Sequence, residues 1–248
     1  MEDGVDLLSL FMQSPDVFTE DLIVDEMFDF FLAGQVTTQY ASQTLIAHAA
    51  KDPDCLRKIR EEFAKVMAQQ PEAESGKRSK REVMDIALDT ETIGDLEYLH
   101  NCMNEALRVQ CPVAGPSYMW ALEDTKLGGI TFRKGDWFVV SSYALHLDSN
   151  QWQKPLEFIP ERWDSDSPIS LTPSGKKRNR HSFIPFSGGR RICFGKTLAE
   201  INIKLLAVYF LEAFDVELRD PRYKTEYPMA HIGMNKKNKV DVIFTKRK

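Results

Sequence analysis

The 248 residues predict a mainly α chain with small β-sheets, an α+β composition, and three stretches carry that expectation. The first is EDLIVDEMFDFFLAGQVTTQYASQTLIAHAAK, residues 20–51, helical in composition and apolar on much of its circumference between Met27 and Ala50. The second and third, residues 53–70 and 93–109, repeat apolar side chains at helical spacing. Between them and the C-terminus, DTKLGGITFRKGDWFVVSSYAL breaks β-branched and aromatic runs with Gly-Gly and Lys-Gly-Asp. That is the punctuation of short strands and turns.

The long segment opens at Thr19, an N-cap residue type, with Glu20 and Asp21 where the helix dipole favours negative charge. Its apolar circumference predicts burial along most of its length. Asp52-Pro53 ends it, and PDCLRKIREEFAKVMAQQ starts an amphipathic helix. Residues 71–82, PEAESGKRSKRE, read as a polar surface loop. IGDLEYLHNCMNEALRV, residues 93–109, reads as one helix stopped by Pro112. Residues 148–185 have little periodicity, and a loop that long inside a compact domain is functional or held by specific contacts. A final helix follows Cys193, with Leu198, Ile201, Leu205 and Val208 as its apolar positions. The tail, FDVELRDP to KKNKVDVIFTKRK, reads as strands. No internal repeat or domain boundary stands out.

Composition narrows the classes. A net charge of −5 with 43% hydrophobic residues fits a globular chain and argues against general nucleic-acid binding, although GKKRNR at 175–180 is a basic island. No run approaches the about 18 apolar residues of a membrane span. The first residues, MEDGVDLLSLFMQSPDVFTEDL, are acidic and lack the layout of a signal peptide. Cys55, Cys102, Cys111 and Cys193 form no CxxC pair and no regular spacing, so neither a disulfide framework nor a zinc cluster is indicated.

Cys193 stands apart in FSGGRRICFG, residues 186–195. It precedes a predicted helix and follows Arg190 and Arg191, and both features favour a thiolate. Gly188, Gly189 and Gly195 let a flat or bulky group approach the main chain. A nucleophile needs a base nearby, and the nearest histidine in sequence is His181, twelve positions upstream. An inert buried thiol is the ordinary alternative. A metal held by one cysteine accounts for more of the pattern, and haem iron is one such metal.

Phe186, Gly189, Arg191, Cys193 and Gly195 fill F-x-x-G-x-R-x-C-x-G, which resembles the cysteine loop of the cytochrome P-450 superfamily of haem-thiolate monooxygenases. Three more stretches match the same family. NEALRV places Glu105 and Arg108 three apart on one helix face, and FIPERW places Arg162 downstream. AGQVTT at 33–38 resembles the family's oxygen-pocket helix, where Thr37 can also return a hydrogen bond to the Ala33 carbonyl.

The resemblance implies a cytochrome P-450 fold, C-terminal part only. The chain would be one incomplete domain, 1–248, without the family's N-terminal half. Cys193 would be the axial ligand of haem, iron protoporphyrin IX. Arg191 would pair with a propionate, and Phe186, Gly189 and Gly195 would shape the loop around the cofactor. Ala33 and Gly34 would leave room on the distal face, and the Thr37 hydroxyl would donate to bound dioxygen. Glu105, Arg108 and Arg162 would form a structural ion cluster pinning residues 148–185. The sequence departs from the family at Val36, where an acid is usual, and at Tyr118, where many members carry a propionate-binding arginine. Proton delivery would then use Gln35, Thr38 or water.

The implied activity is insertion of one oxygen atom from dioxygen into a lipophilic substrate. Its pocket would include Phe30, Val113 to Ser117 and residues 229–233. Electrons would come ultimately from NADPH, through a reductase or ferredoxin-like partner steered by Lys176, Lys177, Arg178, Arg180, Arg190 and Lys196. The full-length family member would associate with the endoplasmic reticulum membrane. Two alternatives stand beside this reading. One is a catalytically silent haem-binding or partner-binding fragment, and the other is a haem-thiolate isomerase or peroxide-using relative.

Overall fold

Helices meet in one core, and the sheets hang at its margins. The computed structural model describes residues 6–69, 82, 84–85, 88–113, 116–219 and 241–247. A short helix, α1 (Leu7–Met12), precedes α2 (Glu20–Lys51) and α3 (Pro53–Ala68). Next come α4 (Thr90–Gly94), α5 (Glu97–Val109), α6 (Ser142–His146) and α7 (Lys196–Ala213). The core joins Ala41, Leu45 and Ala49 of α2 to Ile59 and Phe63 of α3. Leu99, Met103 and Ala106 of α5 and Ile203, Ala207 and Leu211 of α7 complete it. Each Leu, Ile, Phe or Met among them contributes about 1.5–3 kcal/mol by leaving water.

Local chemistry sets the helix ends. Thr19 caps α2 by accepting from the Leu22 N–H at 3.3 Å, with Glu20 and Asp21 in the first turn. Asp52 both ends α2 and starts α3, its carboxylate accepting from the N–H groups of Asp54 (3.0 Å) and Cys55 (3.3 Å). Pro53 then occupies the first turn of α3, where its missing N–H costs nothing.

Three helical expectations change. The long helix is not buried along most of its length. Its fully buried residues lie between Ala41 and Ala49, while Val24, Phe28, Phe31 and Leu32 are exposed. An apolar circumference reports what a helix can bury, and here only its C-terminal half meets α3, α5 and α7. The single helix expected at 93–109 is two, because Gly94 and Asp95 end α4 and buried Leu96 leaves helical geometry. The restart is capped from another element. The Glu62 carboxylate of α3 accepts from the N–H groups of Tyr98 and Leu99, the latter at 2.9 Å. On α7 the buried residues are Ile203, Lys204, Ala207, Val208 and Leu211, whereas Leu198 is 64% exposed. That helix is apolar on more than one face, so its sequence alone does not select the stripe.

The strands pair as three antiparallel two-stranded sheets. β1 (Pro116–Trp120) runs against β4 (Trp137–Ser141), with Tyr118 opposite Val139 and Trp120 opposite Trp137. β2 (Thr125–Leu127) and β3 (Ile130–Phe132) form a hairpin turned by Gly128 and Gly129, both at positive φ. β5 (Phe214–Leu218) pairs with β6 (Val242–Lys246). The SSYAL end of the expected strand region is α6 instead, started by the Ser141 hydroxyl accepting from Ala144 N–H. Residues 71–81 of the expected loop, and 220–240 with the 229–233 turn, lie outside the described residues, and Glu82 at the end of that loop is helical. No described helix is long and apolar enough to cross a membrane.

Candidate functional site

Residues 148–185 contain 3-10 turns and loop, and their order comes from charged side chains below them. Glu105, Arg108 and Arg162 are all fully buried, and they meet. One Glu105 oxygen accepts from Arg108 Nη2 (2.7 Å), Arg162 Nε (2.9 Å) and the Ile159 N–H (2.9 Å). The other accepts from Arg108 Nε (2.9 Å) and Trp163 Nε1 (3.1 Å). A buried carboxylate is tolerable only when its lone pairs are filled in this way.

The two guanidiniums spend their remaining donors on loop carbonyls. Arg108 donates to His146, Pro155 and Glu157. Arg162 donates to Gln153, Lys154 and Glu157. Burial draws Arg162 below the usual guanidinium range, and the Glu105 charge opposes that shift. Together the pair gathers the backbone of 146–163 onto α5.

A third arginine belongs to this structure and not to the surface where the sequence placed it. Arg178 donates to the carbonyls of Arg162 (2.7 Å) and Ile169 (3.2 Å). Its guanidinium lies 4.4 Å from the Trp152 ring centre and 5.7 Å from that of Trp163. Burial, then the nearby Arg162 charge, pull its pKa down to about 10. It is therefore no part of an exposed basic patch. Lys176, Lys177, Arg180, Arg190, Arg191 and Lys196 are exposed.

Contacts then run from α5 and α6 to the cysteine loop. Buried His146 accepts the Ile184 N–H on Nε2 at 2.9 Å, and Cys111 Sγ lies 3.7 Å from the Pro185 carbonyl. His146 is pushed down to about 3 by burial, with Arg108 adding to the effect, so it is neutral and serves as an acceptor. Phe186 packs against the core, and its carbonyl accepts the Cys193 N–H at 2.8 Å. The loop turns through positive φ at Ser187 (63°) and Gly189 (65°). A side chain is tolerated there at a cost and glycine without one. Gly189–Arg191 form a 3-10 turn, and Gly195 leads into α7. A Cβ on Gly195 would lie 4.0 Å from Cys193 Sγ. The Cys193 thiol is free and exposed, beside Phe194 (75% exposed) and Ile192 (50%).

The long helix faces this loop. The Phe30 and Phe194 rings stand 5.0 Å apart. Ala33, Gly34 and Thr37 lie three, four and seven residues beyond Phe30, hence on the same face, up to about 10 Å further along. The Thr37 hydroxyl donates to the Ala33 carbonyl at 2.7 Å, and the helix runs through without a break. A Cβ on Gly34 would meet nothing within 4 Å. Val36 is half-buried on the same turn. Tyr118 lies on β1, exposed, its ring 5.7 Å from Trp137.

Sequence reasoning named the ionic trio but missed Trp163, Arg178 and His146 as its supports. The Trp in FIPERW was a visible signal for the first; nothing local marks the others. Among the described residues no three His, Cys, Asp or Glu side chains gather as a metal cluster. An iron held here would thus take one thiolate from the protein and its other ligands from a macrocycle. The open Gly34 face, the exposed apolar flank of Cys193 and the Arg191 cation fit a flat, carboxylate-bearing porphyrin.

The family model for cytochrome P-450 matches residues 1–242. Among curated relatives, the chain is 30% identical over 225 residues to (1S)-1-hydroxy-luvungin A synthase of Citrus sinensis, covering 89% of this chain and 41% of that one. It is 31% identical to geranylhydroquinone 3''-hydroxylase of Arnebia euchroma (85% and 39%). It is 29% identical to 7,8-epoxymelianol synthase of Ailanthus altissima (84% and 38%). The chain spans about two fifths of the length of these relatives. With the family match running from residue 1 to residue 242, across the ionic cluster and the cysteine loop, this chain belongs to the cytochrome P-450 family.

Proposed function

We propose that the chain is the haem-binding part of a monooxygenase that inserts one oxygen atom from dioxygen into a lipophilic organic substrate. The observation that carries this reading is the free, exposed Cys193 thiol, in a glycine turn facing the Ala33–Thr37 face of α2. Cys193 would hold haem iron as a thiolate, with Arg191 beside a propionate and Phe186, Gly189 and Gly195 shaping the loop. When bound, the haem supplies dioxygen activation, which a thiolate ligand favours by donating electron density. Ala33 and Gly34 keep the opposite face clear. Thr37 positions a hydroxyl there and, through its bond to Ala33, holds it in one orientation. Val36 offers no proton, so proton delivery would use Gln35, Thr38 or water. The names of the relatives, a hydroxylase and synthases, support oxygen insertion as the reaction class.

Electrons would arrive from NADPH through a reductase or ferredoxin-like protein, and Lys176, Lys177, Arg180, Arg190 and Lys196 form the exposed cationic surface for it. The chain would be one part of a single domain. The bare apolar stripe Val24, Phe28, Phe31 and Leu32 supports that view. The complete protein would associate with the endoplasmic reticulum membrane. Turnover of a geranylated hydroquinone by the haem-loaded chain separates the readings. Product that requires reductase and NADPH supports the monooxygenase. Product with peroxide alone points to a peroxide-using relative, and none under either condition to a silent haem-binding fragment.

A further inference from the structure

We propose that Cys55 and Cys102 are an oxidative modification site: a dithiol that a small peroxide closes to a disulfide, stapling α3 to α5. Their sulfurs lie 3.6 Å apart, both free, at 1% and 0% exposure. The pair comes from two helices distant in sequence, so helix packing alone brings the thiols together. Neither serves the cysteine loop or the ionic cluster. A disulfide needs about 2.05 Å between sulfurs, so they must approach by about 1.5 Å, within reach of side-chain rotation and a small helix shift.

The surroundings assign the roles. Burial, the facing Cys55 thiol and the Glu161 and Glu62 carboxylates push the Cys102 thiol well up. Lys58, paired with Glu161 at 2.8 Å, and Tyr98, whose hydroxyl reaches Glu161 at 3.4 Å, are the other polar groups at this seam. By position, Cys55 in the first turn of α3 is the first to react and Cys102, inside α5, is the resolving thiol. Cys55 is also the residue that can become accessible. It sits in the first turn of α3, where its N–H is held by the Asp52 side chain at 3.3 Å and not by a helix carbonyl. Opening that turn exposes the thiol without unfolding the core.

The chemistry balances. The Cys55 sulfur attacks one peroxide oxygen, the O–O bond breaks, and a sulfenic acid and one water form. The Cys102 sulfur then attacks the sulfenic sulfur, the S–O bond breaks, and the disulfide and a second water form. Two thiols give up two electrons and two protons, and hydrogen peroxide takes them. Cys102 lies one turn before Glu105, so the bond ties down the helix that carries the ionic cluster.

The test treats the folded, full chain with hydrogen peroxide, alkylates free thiols and maps peptides without reduction. The expected result is a linked Cys55–Cys102 peptide lighter by two hydrogens, reversed by dithiothreitol and absent from both C55S and C102S. The oxidised chain also unfolds at a higher temperature than the reduced chain. A linked peptide that forms only in denaturant overturns the proposal. So does oxidation confined to exposed Cys193 while Cys55 and Cys102 stay alkylatable.

Discussion

Glu105 accepts five hydrogen bonds from four residues, and removing that carboxylate leaves two guanidiniums buried without a counter-charge. Glu105→Ala should therefore cost about 3–5 kcal/mol, a large share of any domain's stability, read from denaturant unfolding. His146 tests the loop connection in another way. Its folded pKa of about 3 lies below the ordinary histidine value of 6.5, so between those values the unfolded state binds the extra proton. Stability is complete above about pH 6.5 and falls as pH drops towards 3, by about 1.4 kcal/mol per pH unit from this group. His48, buried and stacked on Phe158 at 4.3 Å, is lowered to about 3 as well and adds a similar slope. His146→Gln keeps an acceptor for Ile184 N–H but does not titrate. It should flatten the slope by one histidine's worth in unfolding measurements from pH 6.5 to 4. The family resemblance singled out Glu105, Arg108 and Arg162 as a trio. It gave no sign that Arg178 belongs with them, because its partners Trp152 and Trp163 lie in segments without periodicity.

Helix α2 is two elements in one. Leu45, fully buried, faces the core; Phe31, 66% exposed, faces solvent. Leu45→Ala should cost about 2–5 kcal/mol, whereas Phe31→Ser should change stability by less than about 0.5 kcal/mol, both read from denaturant unfolding. Equal costs for the two would contradict the division. This helix also shows where sequence reading stops. Its caps at Thr19 and Asp52 are local and were legible to the residue. Which half is covered depends on α3, α5 and α7, and no local pattern encodes that. The break at Leu96 was hidden for the same reason, since its restart relies on Glu62 of a different helix.

At the scale of the molecule, packing follows a single line of support. α5 holds the ionic cluster, the cluster holds residues 146–163, and His146 and Cys111 hold 184–185. The Phe186 carbonyl then fixes Cys193. The mainly α architecture was legible because it rests on spacing, and the order of the motifs through the family resemblance. The bare face of α2 was not, since exposure is a property of what packs against a helix. The central claim is that this line of support presents Cys193 to haem iron. The most direct measurement is the carbon monoxide difference spectrum of the reduced, haem-reconstituted chain beside Cys193→Ala. A red-shifted Soret band present in the first and absent from the second is the predicted result. No such band, or one that survives the substitution, would contradict it.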